Sequence, residues 1–165
     1  MESVQIYHQV YEYSAEKRIR KKALMRMADV LAMFLDRKEK ALEYYGRDTG
    51  PEARIRNVSG FELTGTEYAG DIRLRSFAGR ALFLNELPLE EYLLGVVPKE
   101  MSPSWNPEAL KAQAVAARSY AYYLVLRSRD KPYDVAATTA SQVYGGSGAG
   151  NLATGRAVKQ TRGGK

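Results

Sequence analysis

The stretch Val96-Val97-Pro98-Lys99-Glu100-Met101 is where this chain is best equipped for chemistry. Glu100 follows an apolar run and a proline and precedes a loop with Pro103 and Trp105, a setting that can strip water from a side chain. Desolvation disfavours the charged form of a carboxylate, which suits such a group to general-acid work near neutral pH. Lys99 beside it works against that effect. A structural alternative stands next to the functional one: Glu100 caps a turn or pairs with an arginine. Other chemistries are poorly supplied. The 165 residues hold no cysteine, which excludes a disulfide framework and a cysteine-bound zinc. His8 is the one histidine, so a multi-histidine metal site is excluded and an imidazole triad is a poor fit. Acid–base work therefore falls to carboxylates, Ser, Lys or Tyr.

The elements that must position Glu100 are legible around it. Pro88 suits the first position of a short helix, Leu89 to Val97, that Pro98 closes. Asn106 caps a second, long helix with Pro107 at its first position and Glu108 in its first turn. That helix runs to about Arg129, and its alanines (Ala112, Ala114, Ala116, Ala117, Ala121) permit close packing. Upstream, Ile55–Val58, Phe61–Thr64, Asp71–Arg75 and Ala81–Leu84 have the period of two of short strands, separated by Gly60, Gly65, Gly70 and Gly79. Val4–Tyr13 alternates weakly, as a further strand would. From Gly145 the chain is rich in Gly, Ser and Ala with little to bury, and reads as irregular.

Residues 1–50 read as an N-terminal helical arm, its helix lying between Val4–Tyr13 and the later strands. Ser14 is its N-cap, Ile19, Ala23, Leu24, Met27, Leu31, Phe34 and Leu35 recur at helical spacing, and Gly46 stops it after about Tyr45. Its apolar stripe is expected to pack on the following domain or on a copy of itself, with a helix lying on a membrane surface as the alternative, which makes a homo-oligomer through this helix one expectation. The fold expected is α+β: a small antiparallel β unit packed with two or three helices, preceded by that long helix, with residues 51–165 as the second domain.

The formal net charge of +6 suggests nucleic acid or an anionic surface. Its distribution argues otherwise. Residues 51–150 hold eleven basic and eleven acidic side chains, so the excess sits in the arm and in residues 151–165. A nucleic-acid-binding domain concentrates charge on its folded body, so no nucleic-acid partner is expected. No segment reaches the roughly 18 apolar residues of a membrane span, and Met1 to Val10 lacks the pattern of a secretory signal.

The run from Asn85 through Glu86-Leu87-Pro88 to Met101 is followed by Trp105 and by Glu108-Ala109-Leu110-Lys111-Ala112-Gln113-Ala114-Val115-Ala116-Ala117-Arg118-Ser119-Tyr120-Ala121. With Tyr133-Asp134-Val135 and Thr138-Thr139-Ala140-Ser141-Gln142-Val143-Tyr144-Gly145-Gly146, it closely resembles the SpoIID/LytB family from about Tyr68 to Gly163. That family contains sporulation lytic transglycosylases, which cleave the MurNAc-GlcNAc bond of glycan strands stripped of stem peptides, and amidase enhancers. The resemblance implies a peptidoglycan-acting domain outside the cytoplasm, with Glu100 as catalytic residue, glycan strands as substrate and an amidase or other cell-wall hydrolase as a further partner. It matches Arg118 to an arginine important in the family. Bidentate hydrogen bonds let Arg118 hold a substrate carboxylate or Glu100, and a structural ion pair is the alternative. Tyr120, Gln142 and Tyr144 are candidates to line a sugar groove, because aromatic faces stack on pyranose rings and amides bond hydroxyls. Some members hold zinc in the segment that matches Ala136, Ala140 and Ser141, whose side chains here cannot bind it, so no metal or other cofactor is expected. The family domain continues beyond the position of Lys165, with further strands that complete the substrate groove.

Overall fold

The period-two segments fold into one sheet. The structure, a computed structural model, describes residues 3–12, 43–45, 52–63, 65–77 and 80–164. Its strands are β1 (Ser3–Glu12), β2 (Glu43–Tyr45), β3 (Glu52–Leu63), β4 (Thr66–Phe77), β5 (Arg80–Pro88) and β6 (Val135–Ala136). They lie in the order β2-β3-β4-β5-β1-β6, antiparallel except for the parallel pair β1 and β6. Three helices follow: α1 (Leu89–Glu100), α2 (Pro107–Arg127) and α3 (Leu152–Gln160), with a 3-10 turn at Ser147–Ala149. The class is α+β, as the sequence indicates.

Several boundaries differ from the sequence reading, each for a physical reason. Gly60 and Gly70 were expected to separate strands, yet both lie inside them. β3 absorbs its irregularity as register shifts between Ile55 and Val58 and between Val58 and Phe61. Gly70 sits at φ +92, and a Cβ there would come within 2.6 Å of the Glu86 carbonyl oxygen, so the glycine serves a bend and a close approach to β5. Val4–Tyr13 is the strand its alternation suggests, as β1 along β5. The expected helix from Ser14 lies outside the described residues over 13–42, and its expected last turn is instead β2, where Glu43–Tyr45 pair with Arg54, Ala53 and Glu52.

Pro98 does not close α1. The helix continues to Glu100 and ends at Met101, whose N–H donates to the Val97 carbonyl. Proline lacks the N–H that would bond the Leu94 carbonyl, yet the helix keeps its last turn through Pro98 to Glu100. Pro88 precedes the first helical residue rather than occupying it. In α2, the Asn106 Oδ1 accepts from the Glu108 N–H at 2.8 Å, the expected cap, and Ser128 ends the helix. α3 was not expected from its Gly- and Ala-rich surroundings. Asn151 caps it by accepting from the Ala153 N–H, and Thr154, Ala157 and Val158 form a narrow buried stripe.

The core lies between the sheet and the helices. Tyr68, Ile72, Phe83 and Leu87 from the strands meet Leu89, Tyr92, Leu93, Val96 and Val97 of α1, while Ala114, Ala117 and Ala121 form the close-packing face of α2. Each fully buried Leu or Val of α1 contributes about 1.5–3 kcal/mol, and Leu93, Val96 and Val97 together more than offset the roughly 3 kcal/mol cost of a proline in the helix. No helix among the described residues is long and apolar enough to cross a membrane.

Candidate functional site

Because α1 runs through Pro98, it carries Glu100 as its last residue into the loop before α2. The side chain is exposed, so the described residues do not supply the desolvation expected from the sequence. Its Oε1 accepts a hydrogen bond from the backbone N–H of Val143 at 3.1 Å, and among the described residues no hydrogen bond or ion pair occupies Oε2. The carboxyl is thus anchored through one oxygen by a segment 43 residues away, with the other open to a ligand.

What holds Val143 in place is buried on either side of it. Gln142 donates from Nε2 to the Ala117 carbonyl of α2 at 3.3 Å and accepts on Oε1 from the Tyr92 hydroxyl of α1 at 3.2 Å. Tyr144 stacks on Tyr92 with ring centroids 5.5 Å apart and planes 19° from parallel. Gln142 and Tyr144 are each 5% exposed, so they lie behind the Glu100 anchor rather than in an open groove. Burial, then the negative charge of Glu100 and the neighbouring tyrosines Tyr144 and Tyr120, push the Tyr92 phenol well above its ordinary range. Burial, then Tyr68 and Glu91, do the same for Tyr144. Both phenols therefore stay neutral, Tyr92 as a donor to Gln142.

Close packing fixes this arrangement. A Cβ on Gly95 would collide with the Tyr144 ring and lie 2.7 Å from the Gly146 carbonyl oxygen, and the Gly95 carbonyl accepts from the Gly145 N–H at 3.0 Å. Beyond Gly145 opens a cleft of about 480 Å³ lined by Glu62, Gly65, Glu67, Lys99, Gly145, Gly148 and Ala149. Lys99 and Gly145, which touch each other, place its edge one residue from Glu100 and from Tyr144.

Arg118 is elsewhere. It is 1% exposed and grips Glu90, with Nε to Oε1 at 2.8 Å and Nη2 to Oε2 at 2.9 Å. Further bonds reach the carbonyls of Val158 and Gly164 and the Thr161 hydroxyl. This is the ion-pair alternative weighed from the sequence: the guanidinium ties α3 and the residues after it to α1 and α2. Tyr120 is 41% exposed and stacks on Tyr123 along α2. Ala136 and Ser141 are joined by a hydrogen bond from the Ala136 N–H to the Ser141 hydroxyl, and no group of three or more metal-binding side chains occurs among the described residues. Sequence reasoning assigned no role to Tyr92, whose partner lies 50 residues away, nor to the Val143 N–H, which no side-chain pattern could reveal.

These features define a class: an α+β domain that presents one anchored helix-terminal carboxyl beside a polar cleft. Residues 78–164 match the family described as Stage II sporulation protein, SpoIID, and the chain belongs to that family. It is 49% identical over 71 residues to the amidase enhancer of Bacillus subtilis (strain 168), a match covering 43% of this chain and 9% of that protein. Over 43 residues it is 51% identical to the Stage II sporulation protein D of the same organism, covering 26% of this chain and 12% of that one. An uncharacterized protein of Brachyspira hyodysenteriae is 48% identical over 104 residues, 62% of this chain and 28% of its own length. The matched region spans less than a third of each relative. No solved structure matches the chain.

Proposed function

We propose that this domain acts on peptidoglycan glycan strands in the cell envelope, as a lytic transglycosylase with Glu100 as its acid–base group. The observation that carries this reading is the Glu100 carboxyl, exposed at the end of α1 with Oε1 held by the Val143 N–H. One carboxyl serves both halves of such a reaction. In its protonated form it gives its proton to the glycosidic oxygen as the bond from the MurNAc anomeric carbon breaks. As a carboxylate it then takes the proton from that sugar's own 6-hydroxyl, whose oxygen closes on the anomeric carbon. No water is consumed and no second carboxylate is required, unlike ordinary glycoside hydrolysis. The adjoining cleft, with Glu62, Glu67 and Lys99, offers acceptors and a donor for sugar hydroxyls.

The test is product analysis on denuded glycan in oxygen-labelled water. Lytic cleavage leaves 1,6-anhydro-muramyl ends without label; labelled reducing ends would identify a hydrolase and overturn the reading. A second reading has a specific support, the similarity to a protein named amidase enhancer. In it the domain binds glycan and raises the rate of an added cell-wall amidase. Stimulation that survives Glu100→Gln, with no anhydro ends formed, would select it.

A further inference from the structure

The outer face of α2 carries an aromatic and cationic surface that the reaction above does not use. Tyr120 and Tyr123 are 41% and 49% exposed, with nearly parallel rings 6.4 Å apart. One turn on, Arg127 lies 5.5 Å from the Tyr123 ring centre and donates from Nη1 to the Tyr123 hydroxyl at 2.9 Å. Exposed aromatic rings cost hydration, and a bonded, oriented arginine costs side-chain entropy. Arg127 has no acidic partner among the described residues, so this face is not an ion-pair surface.

This face is tied to the candidate site through the body of α2. Gln142, the neighbour of the residue that holds Glu100, bonds the Ala117 carbonyl, one helical turn before Tyr120. From Tyr120 to Arg127 the helix rises about 10 Å, room for more than one pyranose ring. Pyranose rings present flat C–H faces that pack on aromatic rings, and a guanidinium selects a carboxylate.

Resting on the glycan reading above, we infer that Tyr120, Tyr123 and Arg127 form a subsite for an acidic sugar, with the tyrosines taking the ring and Arg127 its carboxylate. In a peptidoglycan strand that carboxylate is the lactyl group of muramic acid. It is free when the stem peptide has been removed and amidated, hence uncharged, when the peptide is present. The subsite therefore distinguishes denuded strands from peptide-bearing ones by charge.

The experiment measures binding of the full chain to denuded strands and to chitin oligosaccharides, which have the same backbone without the carboxylate. Arg127→Gln should weaken denuded-strand binding roughly three- to tenfold and leave chitin oligosaccharide binding unchanged. Tyr123→Ala should weaken both. Both positions are exposed, and circular dichroism of each variant verifies the fold. Wild-type binding to denuded strands that is indifferent to Arg127→Gln, or an equal loss for both ligands, overturns the subsite alone. A wild-type chain that binds neither ligand overturns the glycan reading along with it.

Discussion

Replacing Arg118 by Met separates a structural arginine from a substrate clamp. Met keeps the straight-chain bulk and the helix propensity of position 118 but removes the guanidinium and its five hydrogen bonds. Deleting one member of a buried ion pair costs about 3–5 kcal/mol when the partner is left dry. Here the Glu90 side chain keeps 29% of its exposure and can rehydrate, and the Val158 carbonyl retains the Thr161 hydroxyl as donor. The expected loss is therefore smaller, about 2–3 kcal/mol. With a urea slope of about 2 kcal/mol/M for a domain of this size, the unfolding midpoint should fall by roughly 1–1.5 M. Urea melts followed by circular dichroism read this directly. In conditions where the variant is still folded, its binding to glycan strands should match wild type. An unchanged midpoint together with lost glycan binding would refute the structural assignment and place Arg118 in the substrate site.

Gly95→Ala tests the contact behind the Glu100 anchor. The added methyl meets the Tyr144 ring and the Gly146 carbonyl, so thermal unfolding should show a loss of about 1–3 kcal/mol or more, whereas wild-type stability would contradict this packing. The buried tyrosines make a prediction about alkaline pH. Tyr92 and Tyr144 have raised folded-state pKa values, so the stability they contribute is fully present below their ordinary value of 10.0 and is lost as pH climbs above it. A spectrophotometric titration of the 12 tyrosines should leave at least two un-ionised until the fold is lost; free titration of all twelve near 10 in a folded chain would contradict it.

Local signals and long-range ones differ in how far the sequence revealed them. Asn106-Pro107 announced the start of α2 because a cap and an N1 proline act on adjacent backbone groups. The alternation after Arg54 revealed strands, since burial on one face of a sheet imposes it. Gly70 and Pro98 misled because each has two meanings: a glycine can end a strand or bend it, and a proline can stop a helix or be tolerated in its last turn. α3 was hidden because three small or β-branched residues supply its buried stripe. At the candidate site, Glu100 stands out in the sequence as a carboxyl after an apolar helix, but its setting does not. The links from Tyr92 to Gln142 and from Val143 to Glu100 join residues 50 and 43 positions apart, and no spacing rule predicts which pairs a fold brings together. The same holds for Arg118, whose partner lies 28 residues before it.

The most direct measurement is anhydro-muramyl product release from denuded glycan by wild type and Glu100→Gln, with strand binding measured on the same samples. Glu100 is exposed, so Gln leaves the fold intact and retains an amide oxygen to accept from the Val143 N–H. The account predicts product from wild type, none above background from the variant, and equal binding by both. Equal product release from the two chains would contradict it.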